Sequence, residues 1–313
     1  MSAADIDMML SCANCGKGEE ESDNLKKCSA CLLVKYCSAE CQKAHRPQHK
    51  KICKRRAAEL YDEKLFKEIE PEDCPLCFLP FSGGHQTEFF QTCCGKTICS
   101  GCIYAMKMSE SKNNSEGRRK KRDLCPYCRE PPPTSNEEHI KQIHKLMDKG
   151  NGEAYYLLAM KYSLGSGLPQ DYQKCNELCL KAGELGCADG YYNLACSYSN
   201  GTGVEVDKEK SKHYLELAAM GGCLVARYNL GCEEGQAGNH RRAFRHYIIS
   251  AKAGYTRSLE GVKQGFMKGI VTKDEYANTL RAHHERQKEM MSDMRDKAEL
   301  ALEQHWGKES VIR

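Results

Sequence analysis

The chain has 313 residues, enough for two or three compact units, with 21 cysteines and a formal net charge of +4. So small a charge argues against a dedicated nucleic-acid binder. No run is apolar enough to span a bilayer, and the N-terminal MSAADIDMMLSCANC has neither a basic start nor a sustained apolar stretch, so no signal peptide is read there. A reducing compartment is expected, cytoplasmic or nuclear, in which cysteines hold metal rather than form disulfides.

Residues 1–11 read as a disordered tail. The first cysteine cluster follows: Cys12 with Cys15, Cys28 with Cys31, Cys37 with Cys41, and then His49 with Cys53. Two thiolates two residues apart can turn onto one tetrahedral zinc ion, and His49 and Cys53, four apart, share a face if that turn is helical. The cluster therefore offers eight ligands. The stretch YCSAECQKAHRPQHKKIC resembles a MYND zinc finger, and the resemblance covers nearly all of residues 12–53. It implies that Cys12, Cys15, Cys37 and Cys41 hold one zinc, and that Cys28, Cys31, His49 and Cys53 hold another. It also makes His45 a non-ligand, a surface or packing residue. MYND fingers as a family bind short proline-containing peptides. Gln42 matches the family's C-Q pair, but Arg46 stands where a tryptophan usually forms one wall of the peptide groove. Some MYND proteins are lysine methyltransferases, which need a SET domain, and none of its motifs is found in the remaining chain.

Residues 54–70 are rich in Ala, Leu, Glu and Lys, with Leu60, Leu65, Phe66 and Ile69 as an apolar stripe. They read as a helical linker ended by Pro71. Residues 71–133 hold the second cluster: Cys74 with Cys77, the adjacent Cys93 and Cys94, Cys99 with Cys102, and Cys125 with Cys128. Eight thiolates are enough for two closed four-ligand sites. The order of pairs resembles a RING finger of the all-cysteine kind. In that fold the ligands interleave, which implies one site of Cys74, Cys77, Cys99 and Cys102 and another of Cys93, Cys94, Cys125 and Cys128. Lys96 stands where many RINGs carry a ligating histidine. Cys93 and Cys94 can supply two ligands if adjacent residues reach one ion; His85 is a weaker substitute, and a half-filled site is the alternative.

RING fingers as a family recruit a ubiquitin-conjugating enzyme and orient its ubiquitin thioester. Carried over by resemblance, Leu76 and Pro126 would touch that enzyme and Arg129 would clamp ubiquitin against it. Read without the resemblance, Leu76 and Pro126 only shape zinc knuckles and Arg129 is a surface charge. Met106 stands near the position of an aromatic contact in many RINGs. The insertion before Cys125 carries Arg118, Arg119, Lys120, Lys121 and Arg122, either a solvated loop or a nuclear import or nucleic-acid contact.

Residues 134–150 read as a connecting helix with Ile140, Ile143, Leu146 and Met147 at helical spacing. Residues 151–290 repeat with a period of 36: Tyr156, Tyr192 and Tyr228 recur, as do Leu158, Leu194 and Leu230. Each unit reads as a helix, a glycine-containing turn and a second helix, with the third turn about four residues shorter. The pattern resembles Sel-one-like repeats, relatives of the tetratricopeptide repeat, with residues 256–290 as a degenerate cap. The tyrosines read as a core ladder. Cys175, Cys179, Cys187, Cys196, Cys223 and Cys232 read as small buried residues of the helix interface. Residues 291–313 read as a charged tail or loose helix. The order of modules is similar to that of diatom and other algal proteins, a likeness of architecture that adds no activity.

The expected fold is multi-domain: two small zinc-stabilised finger modules followed by an all-α helix-pair repeat solenoid, with about four structural zinc ions. No catalytic constellation is visible. The reading of function is a RING-type ubiquitin ligase with a ubiquitin-conjugating enzyme and ubiquitin as partners and protein or peptide partners on the repeats. A non-enzymatic scaffold is the alternative, and a nuclear chromatin adaptor a third.

Overall fold

A computed structural model describes residues 11–18, 25–81, 88–111 and 124–309. The basic run 118–122, His85 and residues 1–10 lie outside them. The chain forms two units, residues 1–67 and 68–313.

In the first unit a short antiparallel ribbon pairs β1 (Lys26–Lys27) with β2 (Lys35–Tyr36). Helix α1 (Ala39–Leu65) follows, capped by Ser38, whose hydroxyl accepts from the Cys41 N–H at 3.3 Å. The buried cluster is Cys12, Cys28, Cys31, Val34 and Tyr36. Three of those five are thiols. So small an apolar core cannot offset chain entropy by itself, which is why a fold of this size needs metal.

Residues 54–65 thus extend the finger's own helix rather than form a separate linker helix, and that helix ends well before Pro71. The reason is tertiary. In the second unit Glu68 pairs with Lys252 at 2.7 Å, and Ile69 lies against Gly222. These contacts pull 68–69 out of a helix that local propensity alone would continue.

The second unit opens with the hairpin β3 (Glu88–Gln91) and β4 (Lys96–Cys99), in which Gln91 lies opposite Lys96, and then α2 (Ser100–Ser111). Its small core is Cys74, Ile98, Cys99 and Cys125, covered by Phe81 and Ile103. Helix α3 (Asn136–Met147) buries Ile143 and Leu146. Four helix pairs follow: α4 (Gly152–Leu164) with α5 (Tyr172–Glu184), α6 (Ala188–Asn200) with α7 (Lys208–Met220), α8 (Leu224–Gln236) with α9 (His240–Lys252), and α10 (Thr256–Met267) with α11 (Lys273–Met290).

The local signals are those expected of helix pairs. Asp171 and Asp207 each cap a second helix by accepting from a backbone N–H at 2.9 Å. Gly165 and Gly201 end the first helices at φ 66° and 77°, where a side chain would be strained. Leu158, Leu194 and Leu230 are buried. Tyr156, Tyr192 and Tyr228 are only half-buried, which corrects the core-ladder reading. A phenol needs a polar partner, and Tyr156 accepts from Asn193 Nδ2 at 3.1 Å. Cys175, Cys179, Cys187 and Cys223 are buried, whereas Cys196 and Cys232 are half-buried.

The stretch read as a charged tail forms a further helix, α12 (Asp293–Glu309), which packs on α2 and buries Ala298. No helix among the described residues is long and apolar enough to cross a membrane.

Candidate metal centres

Four groups of side chains converge among the described residues: Cys12, Cys15, Cys37, Cys41; Cys28, Cys31, His49, Cys53; Cys74, Cys77, Cys99, Cys102; and Cys93, Cys94, Cys125, Cys128. Within each group every ligand atom lies within 4.8 Å of the others. In both modules the groups interleave along the chain.

The spacings suit zinc. Four sulfurs at about 2.3 Å from one ion stand roughly 3.8 Å apart along each tetrahedral edge. Cys15 and Cys37 lie 3.6 Å apart, Cys28 and Cys53 3.8 Å, Cys74 and Cys102 3.8 Å, Cys77 and Cys99 3.7 Å, and Cys94 and Cys125 3.9 Å. These distances are too long for a disulfide, and all 21 cysteines are free thiols. His49 points Nε2 at Cys31 Sγ, 3.2 Å away.

Crowding splits the ionisation of the thiols. Burial works against ionising Cys28, but backbone N–H groups of Cys31 and Ala30 and the His49 side chain more than offset it and lower the pKa to about 6. Burial first, then the neighbouring thiols of Cys28 and Cys31, push Cys53 up to about 12. The same split separates Cys12, at about 6, from Cys37, at about 12, where the Cys41 side chain is the main cause. Four thiolates can coexist at such a point only around a cation. The donor set therefore fits a closed structural zinc site, and the described residues form four such sites, with four protein ligands at each and no position left open for substrate.

Local structure explains how each ligand arrives. Cys41, His49 and Cys53 lie on α1 at intervals that keep them on one face. His45 lies between them and is not among the converging atoms. Its Nδ1 is 3.0 Å from Tyr36 Oη, and its ring stacks on His49 at 5.6 Å, so it props the ligating ring. Beside this centre a cleft of about 260 Å³ is lined by Tyr36, Gln42, Arg46, Lys50 and Lys54. In the second module Cys93 and Cys94 occupy the loop between β3 and β4, which turns through Gly95 at φ 71°. That tight turn brings two adjacent thiols to one point: Cys93 Sγ lies 3.3 Å from Cys128 Sγ, while Lys96 points to solvent.

Leu76 is 36% exposed on the Cys74 knuckle. Arg129 is exposed, and its Nη1 reaches Met106 Sδ of α2 at 3.6 Å. Pro126 and Met106 line a cavity of about 380 Å³ with Ile103 and Leu124; Leu76 is not part of its wall. One side chain at these centres had no sequence signal. Arg295 of α12 donates from Nη2 to Cys77 Sγ at 3.7 Å, across 218 positions.

Comparison with known proteins agrees with this geometry. The MYND finger family matches residues 12–53, and the Sel1 repeat family matches residues 152–187, 188–223 and 224–255. The first finger is similar to human histone-lysine N-methyltransferase SMYD3, 49% identical over 43 residues. That is 14% of this chain and 9% of the relative, so the likeness spans less than a tenth of the enzyme's length. Among solved structures, the chain is similar to a Sel1 repeat protein from Oxalobacter formigenes at 20% identity and a TM-score of 0.42, covering 49% of this chain and 66% of the other. It is also similar to c5321, a protective antigen of uropathogenic Escherichia coli displaying an SLR fold, at 21% identity and a TM-score of 0.42, covering 59% and 38%. The chain contains a MYND finger at residues 12–53 and three Sel1 repeats at 152–255, a zinc-binding finger module followed by a helical repeat solenoid.

Proposed function

We propose that the protein is a zinc-stabilised protein-interaction scaffold whose second zinc module recruits a ubiquitin-conjugating enzyme, with all sixteen converging side chains as zinc ligands. The observation that carries the recruiting role is the interleaved pair of sites at 74–128, with Leu76 and Arg129 exposed on the knuckles of different sites. The module would act as an orienting surface. Its thiols are committed to metal, and among the described residues no nucleophile with a paired base stands beside them, so any rate gain comes from holding the reacting groups in place. Leu76 and Pro126 would meet the conjugating enzyme, and the Arg129 fork would bridge it to ubiquitin.

The repeats would select partners. Stacked helix pairs build an extended face from their first helices, which suits a peptide or a protein surface better than a small molecule. Half-buried Tyr156, Tyr192 and Tyr228 recur on those helices with Asn193 nearby, offering apolar bodies with polar tips. Work in the nucleus or the cytosol fits this reading equally. The likeness to a histone methyltransferase is confined to the finger, and that enzyme's activity is not carried over.

The test is discharge of ubiquitin from a panel of conjugating enzymes. Arg129→Ala is expected to slow discharge roughly tenfold, equivalent to about 1.4 kcal/mol of lost orientation, at unchanged zinc content. Leu76→Ala is expected to weaken enzyme binding instead. A rate that is the same with wild type, with either variant and with no added protein rejects the recruiting role and leaves a scaffold without enzymatic partners.

A further inference from the structure

Helix α12 begins where the repeat array ends, joined to α11 by Met291 and Ser292 alone. Its first turn sits on the second zinc module. Arg295 Nη1 donates to Pro80 O at 2.6 Å and to Met290 O at 2.9 Å. Its Nη2 donates to Leu79 O at 3.1 Å and to Cys77 Sγ at 3.7 Å. The approach is close: a Cβ placed on Gly101, between the thiols Cys99 and Cys102, would lie 2.8 Å from Arg295 Cγ and 2.9 Å from its backbone nitrogen. Only glycine leaves room for α12 there. One turn further on, Ala298 is buried.

The same module also meets the other end of the array. Phe90 of β3 packs on the cluster that contains Ile143, Leu146 and Leu158. Thr92 donates to Gln142 Oε1 at 2.7 Å. A Cβ at Gly95 would lie 3.1 Å from both Leu146 of α3 and Asn151, the N-cap of α4. The zinc hairpin is thus fastened to the start of the solenoid, and the knuckle of its first site to the helix that leaves the end.

The charges give this contact a direction. Four thiolates around one dication leave a site with a net charge of about −2. A guanidinium against Cys77 offsets part of that charge, and its two terminal nitrogens also donate to three carbonyl groups, which a lysine ammonium could not reach in one geometry. We propose that Arg295 is an outer-sphere partner of the Cys74, Cys77, Cys99, Cys102 metal site, and that metal loading there pins α12, so that the second zinc module is a clasp across both ends of the repeat array. Linkage makes the effect reciprocal: loss of metal frees the helix, and lifting the helix loosens the metal. None of this depends on ubiquitin chemistry.

The experiment uses the full chain, with zinc content determined first. Zinc release to a chromophoric chelator and amide exchange over residues 293–302 are followed in wild type, Arg295→Ala and Ala298→Glu. The second variant lifts α12 by placing a charge in its buried face without touching a thiol. Both are expected to lose protection in α12 and to release one equivalent of zinc roughly tenfold faster, the usual effect of losing an outer-sphere partner. The remaining equivalents should leave at the wild-type rate. Loss of α12 protection in Ala298→Glu with unchanged zinc release would overturn the linkage. So would an Arg295→Ala protein that matches wild type in both measurements.

Discussion

Four residues share one unusual conformation. Gly16, Leu32, Phe78 and Arg129 each follow the second cysteine of a C-x-x-C, have φ between 57° and 75°, and bond their N–H to the carbonyl of the first cysteine at 2.9 Å. This turn folds the pair of sulfurs onto one side, and each of the four metal centres contains one. Glycine meets it freely, whereas another L-residue there costs about 1–2 kcal/mol. Leu32 is 50% exposed, so little packing opposes its removal. Leu32→Gly is expected to stabilise the first unit by up to about 1 kcal/mol, after the roughly 0.5–1 kcal/mol of chain entropy that glycine costs. The check is the denaturation midpoint at fixed zinc; a lowered midpoint would show that the Leu32 side chain contributes more than the strain it carries. A second residue makes the repeats acid-sensitive. Burial first, and then the charges of Arg227 and Arg242, lower the His246 pKa from 6.5 to about 3. Its folded pKa is below the unfolded one, so between those values the unfolded chain binds the extra proton. The contribution is complete above about pH 6.5 and is lost as pH falls toward about 3. His246→Gln, which cannot titrate, is expected to flatten the fall in stability over that window, read from helical signal in urea titrations at several pH values. Parallel acid limbs in the two proteins would reject this assignment.

Small residues at the repeat period set the spacing of the helices. Ala154, Gly190 and Ala226 are equivalent, each the third residue of a first helix, and all are buried. They are not interchangeable. A Cβ on Gly190 would collide with the carbonyl oxygen of Cys179 and stand 2.8 Å from Ala182 Cβ. The obstacle is backbone, so no rotamer change relieves it, and α5 and α6 would have to separate. Gly190→Ala is therefore expected to destabilise the array by about 1–3 kcal/mol, as overpacking does, seen as a lower urea midpoint for the second unit. A cost below a few tenths of a kcal/mol would mean that the helix pair slides without penalty.

For the whole molecule, the two units have separate cores and separate metal centres. Native mass spectrometry is expected to show four zinc ions per chain; three would identify the Cys93, Cys94 centre as half-filled. A structural zinc contributes roughly 10–16 kcal/mol in small fingers, so losing a buried ligand is decisive there. Cys31→Ser should unfold the first unit and leave the amide protection of α4 to α9 unchanged. Cys99→Ser should instead expose α12 and loosen α3, since both lean on the second module. Loss of protection across the repeats in Cys31→Ser would show that the units stabilise one another.

The sequence by itself determined the features that rest on local pattern: the number of thiol pairs, the helical spacing of His49 and Cys53, and the 36-residue period with its glycine turns. Each depends on residues a few positions apart, or on the same short unit used again. Tertiary structure decided the rest. It allowed Cys93 and Cys94 to meet at one point by placing them in a four-residue hairpin loop. It stopped α1 at Leu65, where contacts from Glu68 to Lys252 of α9 and from Ile69 to the turn at Gly222 outweigh propensity. It left the repeat tyrosines half-buried, and the Tyr156 hydroxyl accepts from Asn193 on the first helix of the next repeat. It also made a charged C-terminal stretch part of a zinc module, through an arginine whose acceptors lie more than two hundred residues upstream. A contact of that separation leaves no periodicity in the chain, since its energy comes from burial and charge that exist only once both segments are folded.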